Sequence, residues 1–155
     1  MSDSLIPGIT QSTKDMKRIY IALLFLLAGT TLFSQNLINH SGSEIKTIMK
    51  ERYKDFRLST TTKNPSYRYL KYENYLKTET LLFFLSEDDV CTYYKYLGDY
   101  SCYNAKIAVM NEKYKKIDEN AWIEELEGEK YRIELIKGEW FFTLTTRKID
   151  SSQRD

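Results

Sequence analysis

Three runs of alternating apolar and polar residues, 121–126, 129–136 and 139–147, are separated only by Glu127-Gly128 and Lys137-Gly138. Connections that short cannot carry a crossover, so the runs must be neighbouring antiparallel strands of a meander. Arg132 and Glu134 alternate with Tyr131, Ile133 and Leu135, the pattern of a sheet with one wet and one dry face. A second meander precedes it at 67–73, 80–86 and 89–96, with a turn at Glu87-Asp88. Leu81, Phe83 and Leu85 align with Tyr131, Ile133 and Leu135 at an offset of 50, and Val90, Thr92 and Tyr94 align with Trp140, Phe142 and Leu144.

Each meander follows an amphipathic segment of helical period. Ile45, Ile48, Met49, Tyr53 and Phe56 share one helical face, as do Ile107, Met110, Tyr114 and Ile117, and Ile48–Phe56 aligns with Val109–Ile117 at an offset of 61. Ser43 with Glu44 supplies a start for the first helix, and Ser101 or Asn104 a cap for the second. The polar stretches 57–66 and 118–120 read as linkers, the first a loop rich in Ser, Thr and Lys. The expected fold is α+β: tandem α-β-β-β units at 43–96 and 101–147 form an antiparallel sheet of about six strands with two helices on one face. This order of elements resembles the tandem helix-plus-meander modules of the β-lactamase inhibitory protein and PepSY-like families. The resemblance covers the chain after residue 34, rests on element order alone, and implies a non-catalytic binding or inhibitory role.

Residues 16–34 read as a secretory signal peptide. Met16-Lys17-Arg18 is a positive n-region, an apolar run of about ten residues follows, and Ser34 is a small residue ahead of the cut. The uncharged stretch 19–33 falls short of the roughly twenty apolar residues that a membrane span needs, so no stable insertion is expected after cleavage. Residues 1–15 read as an upstream extension, 35–150 as one α+β domain and 151–155 as a disordered tail. The expected location is periplasmic or extracellular.

Cleavage takes three of the 23 basic and two of the 22 acidic residues, leaving 20 of each. A balanced chain offers no field for nucleic acid or an anionic membrane. His40 is the only histidine, so neither a multi-histidine metal site nor a Ser-His or Cys-His pair with a second histidine can form. No glycine-rich phosphate loop occurs, and the acidic turn 87–89 lacks the spacing that surrounds calcium with oxygens. No cofactor is implied and no catalytic set is visible. Cys91 and Cys102 could bridge in an oxidising compartment, or stay as buried thiols, since Cys91 is expected on the strand face away from the helices and Cys102 near the second helix.

What remains is a surface. The segment Leu81-Leu82-Phe83-Phe84-Leu85 is apolar on both faces, so its outward side needs cover from the segment 36–42 or from a partner. Trp122, Trp140 and Phe142 read as core. Tyr72, Leu82, Phe84, Tyr93 and Phe141 are expected to point away from the helices and, with Thr60 and Lys63 of the polar loop, are the candidate partner-binding residues. The expected partner is a protein. The alternatives are a small apolar ligand or lipid held in an aromatic-lined cavity, and a hydrolase working through carboxylates alone.

Overall fold

The computed structural model describes residues 36–63 and 67–150. The expected extension at 1–15, signal peptide at 16–34 and tail at 151–155 lie outside the described residues. The fold is α+β: helix α1 (Gly42–Arg52), strands β1 (Phe56–Lys63), β2 (Arg68–Asn74), β3 (Glu79–Leu85) and β4 (Cys91–Asp99), a 3₁₀ turn (Tyr100–Cys102), helix α2 (Tyr103–Lys113), and strands β5 (Lys115–Asp118), β6 (Ala121–Leu126), β7 (Glu129–Lys137) and β8 (Phe141–Lys148). All eight strands join one antiparallel sheet in the order β1-β2-β3-β4-β8-β7-β6-β5. Two four-strand meanders therefore meet at the centre, where β4 pairs with β8 and Lys95 stands opposite Thr145.

The sheet has eight strands rather than about six, because edge strands occupy most of the first expected linker and the end of the second expected helix. Most of the stretch read as a polar loop is β1, whose Thr60-Thr61-Thr62 is β-branched and suits a pleated edge. The other edge strand is β5, Lys-Lys-Ile-Asp, exposed at every position, where the helical period of the sequence runs on to Ile117. Neither alternates in hydrophobicity along its whole length, β1 doing so only over residues 56–59, since an edge strand with little burial has no dry face to mark. Lys115 and Lys116 of β5 also discourage pairing with another chain's edge.

Local chemistry sets the ends of the elements. Ser41, not Ser43, caps α1: its hydroxyl accepts from the Glu44 N–H, and the Glu44 carboxylate accepts from the Ser41 N–H at 2.7 Å. That backbone bond holds the Glu44 carboxyl below its usual range. Asp99 opens the 3₁₀ turn by accepting from the Ser101 N–H at 2.7 Å, so the chain enters α2 without a Ser101 or Asn104 cap. Glu127 and Gly128, at φ of 53° and 82°, form the two-residue turn expected between β6 and β7. The next turn is longer, since Lys137 pairs with Phe142 and residues 138–141 lie between them.

Register divides the side chains between two faces. Tyr72, Leu81, Tyr96, Leu144 and Leu135 lie in one cross-strand row, and Leu70, Phe83, Tyr94, Thr146, Ile133 and Trp122 in the next. This is the helix face. The Trp122 indole N–H donates to Asn111 of α2 at 3.0 Å, and Gly42 of α1 lies against Leu85. Ile45, Met49, Phe83, Trp122 and Phe142 form its centre, each at most 1% exposed. Gly98 is required there: a Cβ would stand 2.7 Å from the Phe142 ring and 2.8 Å from the Tyr96 ring.

Three expected orientations are corrected. Tyr72 faces the helices, because it pairs with Leu81, and it is buried. Cys91 also faces them: a bulge at Thr92 places Cys91 opposite Leu85 while Tyr93 stays opposite Phe84, which turns the start of β4 by one residue. Trp140 is not core. The longer turn puts it at the hairpin tip, 75% exposed.

Candidate functional site

The face opposite the helices carries its aromatic residues in one line. Thr62, Tyr69, Phe84, Tyr93, Arg147 and Arg132 are successive cross-strand partners from β1 through β7. Phe84 and Tyr93 stack with ring centroids 4.4 Å apart and planes 7° apart, Tyr69 lies 5.8 Å from Phe84, and Tyr67 extends the line 6.1 Å beyond Tyr69. The adjacent row reads Thr60, Lys71, Leu82, Lys95, Thr145 and Glu134. Phe84, Tyr93, Tyr69 and Leu82 are half-buried. Direct pairs across an antiparallel sheet place side chains about 5 Å apart, so the rings form a continuous apolar strip at right angles to the strands.

Charge occupies the other half of this face. Arg132 donates to Glu134 at 2.7 Å, and Arg147 approaches the second oxygen of the same carboxylate at 3.9 Å. The aromatic half also holds one ion pair, Lys71 with Glu73 on β2 at 2.7 Å. Lys95 differs: its Nζ lies 5.8 Å from the centre of the Phe84 ring, and among the described residues no carboxylate pairs with it. Beside it a recess of about 600 Å³ is lined by Ile38, Asn39, Thr92, Tyr93, Lys95, Arg147, Lys148 and Asp150. Segment 37–41 forms one wall by docking on the start of β4: Asn39 N–H donates to the Cys91 carbonyl at 2.8 Å and Cys91 N–H to the His40 carbonyl at 2.9 Å. Asn39 takes a left-handed φ of 71° there. Burial raises the Tyr93 phenol above its usual range, with Arg147 opposing, so it is a protonated hydrogen-bonding group at neutral pH.

The predicted residues thus separate. Leu82, Phe84 and Tyr93 sit together, with Thr60 at the edge of the Leu82 row. Thr60 belongs to a strand and not to a loop. Lys63 ends β1 opposite Arg68. Phe141 shares the face but lies six residues along β8 from Arg147, about 20 Å away at strand rise. Tyr72 is on the other side. Cys91 and Cys102 are free thiols: Cys91 is buried and donates weakly to the Tyr93 carbonyl at 3.4 Å, while Cys102 donates to the Asp99 carbonyl at 2.9 Å.

A polar cluster on the helix face had no sequence signature. The Tyr96 hydroxyl donates to Glu79 at 2.6 Å, Lys106 of α2 lies 3.8 Å from the same carboxylate oxygen and 3.9 Å over the Tyr96 ring, and Asn74 donates to the other oxygen at 3.0 Å. Burial and the bond to Glu79 hold Tyr96 far above its usual pKa, and burial pulls Lys106 down against the charge of Glu79. Both Glu79 oxygens are engaged, so the group ties α2 to the β2–β3 turn. Glu79, Tyr96 and Lys106 are scattered in sequence, and only the register of β3 with β4 unites the first two. Among the described residues no three His, Cys, Asp or Glu side chains could hold a metal ion, and no helix is long and apolar enough to cross a membrane.

Comparison with known protein families, with curated proteins and with solved structures finds no match to this chain.

Proposed function

We propose that this protein is a small exported, non-catalytic binding module whose sheet face opposite helices α1 and α2 engages a protein partner. The observation that carries this reading is the half-buried row Tyr69–Phe84–Tyr93 with Leu82 beside it, an apolar strip on the face opposite the two helices of the described residues. Stacked rings held by cross-strand neighbours are already ordered, so a partner that covers them gains apolar burial without the entropic cost of fixing mobile side chains. Export is supported by the residue pattern at 16–34.

The two α-β-β-β-β halves read as copies of one unit. In support, Tyr94 pairs with Thr146 and Tyr96 with Leu144, so positions related by the offset of 50 exchange places about the Lys95–Thr145 pair, as a dyad requires.

The test is capture from the native envelope or medium on the immobilised full chain, with Phe84→Ala/Tyr93→Ala as the comparison. A partner retained by the parent chain and lost by the folded double variant supports the reading. No partner, or the same partners on both, sinks it.

A further inference from the structure

The sheet face is polarised. Its β2–β4 half carries the row of rings, and where β4 meets β8 Lys95 and Arg147 line a recess of about 600 Å³, which Lys148 reaches from the opposite side of β8 and whose lining among the described residues holds one carboxylate, Asp150. That volume falls within the usual range for ligand sites. Of the three cations, Lys148 pairs with Glu129 at 3.1 Å and Arg147 only loosely with Glu134 at 3.9 Å, while Lys95 has no ion-pair partner among the described residues. The Tyr93 phenol forms the seam between the halves, with its ring stacked on Phe84 and its side chain lining the recess.

Resting on the reading of this face as the binding surface, we infer that its occupant is an acidic, extended protein segment. Its apolar side chains lie on Tyr69, Phe84, Tyr93 and Leu82, and its carboxylates enter the recess against Lys95 and Arg147. Charge complementarity is the argument. Cations with incomplete pairing favour a carboxylate, and ammonium groups on the segment would be repelled. Alternate side chains of an extended segment point to one side at a spacing near 7 Å, which lets one residue reach the rings and another two positions on reach the recess. A nucleic-acid strand is disfavoured, because binding it draws on many phosphate contacts and this recess offers three cations, of which Lys148 is already paired.

Fluorescence anisotropy with the full chain tests this, using labelled octapeptides that alternate Phe with Glu, Gln or Lys, and a labelled thymidine dodecanucleotide. The Phe–Glu peptide is expected to bind at least tenfold more tightly than the Phe–Lys peptide at low salt and to weaken as salt rises. Lys95→Gln and Arg147→Gln are each expected to cost at least fivefold for Phe–Glu and to leave Phe–Gln unchanged, with circular dichroism confirming that both variants are folded. Equal affinity for the Glu and Gln peptides, both lost in Phe84→Ala, overturns acidic selectivity and leaves the binding surface standing. Absence of binding by every peptide, tighter binding of the oligonucleotide, or indifference to both charge variants also overturns the inference.

Discussion

On the helix side, Phe83, Trp122 and Phe142 are at most 1% exposed, whereas Phe84, the next residue along β3, is half-buried and stacks on Tyr93 at 4.4 Å on the other side. Both sets are aromatic and both lie within strands. The difference is the layer above them. Against α2, Trp122 donates to Asn111 and Phe142 meets the Tyr103 ring edge-on at 5.1 Å, whereas on the other face Phe84 meets Tyr69, Tyr93 and the Lys95 ammonium of the sheet itself. The comparison teaches that ring burial on this sheet depends on what packs over the strand, not on residue type. Substitutions on the two faces should therefore report on different properties: stability on one and recognition on the other.

The largest effect is expected at Trp122. Truncation to Ala removes a fully buried indole and orphans its Asn111 partner, which should lower stability by about 3–5 kcal/mol, measured by urea denaturation. Phe84→Ala, which breaks an open stack, should cost no more than about 1.5 kcal/mol. Equal losses at the two positions would erase the distinction between the faces.

Next in size is Glu79. Glu79→Ala removes the acceptor of Tyr96 and Asn74 and the counter-charge of Lys106, and should cost about 2–3 kcal/mol. Restoring the acceptor without charge in Glu79→Gln should recover part of that. A cost within error for Glu79→Ala would show that the cluster does not secure α2 to the sheet.

How much of this was legible in the sequence follows from burial. The pattern of β7 and β8 could be read because one face is dry, and Ile133, Leu135, Phe142 and Leu144 all fall where alternation places them. The edge strands β1 and β5 were missed for the converse reason. A one-residue bulge at Thr92 reversed Cys91, and no feature of Val90-Cys91-Thr92 announces it. Tyr72 went wrong through register: alternation sorts a strand into two sets of side chains, and only the pairing with Leu81 says which set is inside. Leu82, Phe84 and Tyr93 were legible because a strand apolar on both faces is conspicuous. Arg147 and Lys95 were not, since surface cations are common and the recess exists only once β8 lies beside β4.

The helix face also carries an alkaline signature that the opposite face lacks in comparable strength. Burial pushes the Cys91 thiol up to about 12, from an ordinary 9.0. Below pH 9 both folded and unfolded chains are protonated there. Between 9 and 12 the unfolded thiol ionises and the folded one does not, so the native state holds more protons and stability falls as pH rises, by up to about 1.4 kcal/mol per pH unit. Tyr96 adds a loss of the same sign above its ordinary 10.0, and Lys106 opposes with a gain below 10.5. Cys91→Ala leaves those two in place, so the difference in urea midpoints between pH 8 and pH 10 should shrink by about 1 kcal/mol equivalent in the variant. An unchanged difference would mean that Cys91 meets water in the folded state.

The smallest effect is expected where the residue type promises the largest. Trp140 is an indole like Trp122, but it occupies the turn between β7 and β8 at 75% exposure, beside Ile136 at 62% and Phe141 at 46%. Its removal from water on folding is slight, and Trp140→Ser should change stability by no more than about 0.5 kcal/mol. The hairpin does not depend on it, because the Gly138 N–H donates to the Phe141 carbonyl at 2.9 Å and the Tyr100 hydroxyl donates to the Gly138 carbonyl at 2.8 Å. Partner capture through Phe84 and Tyr93 should persist in this variant, since the tip stands some 20 Å along the strands from that row. A fall in urea midpoint as large as that of Trp122→Ala would put Trp140 under cover in solution. Loss of capture with stability intact would instead extend the binding surface to this end of the sheet, joining Phe141 to the residues that recognise the partner.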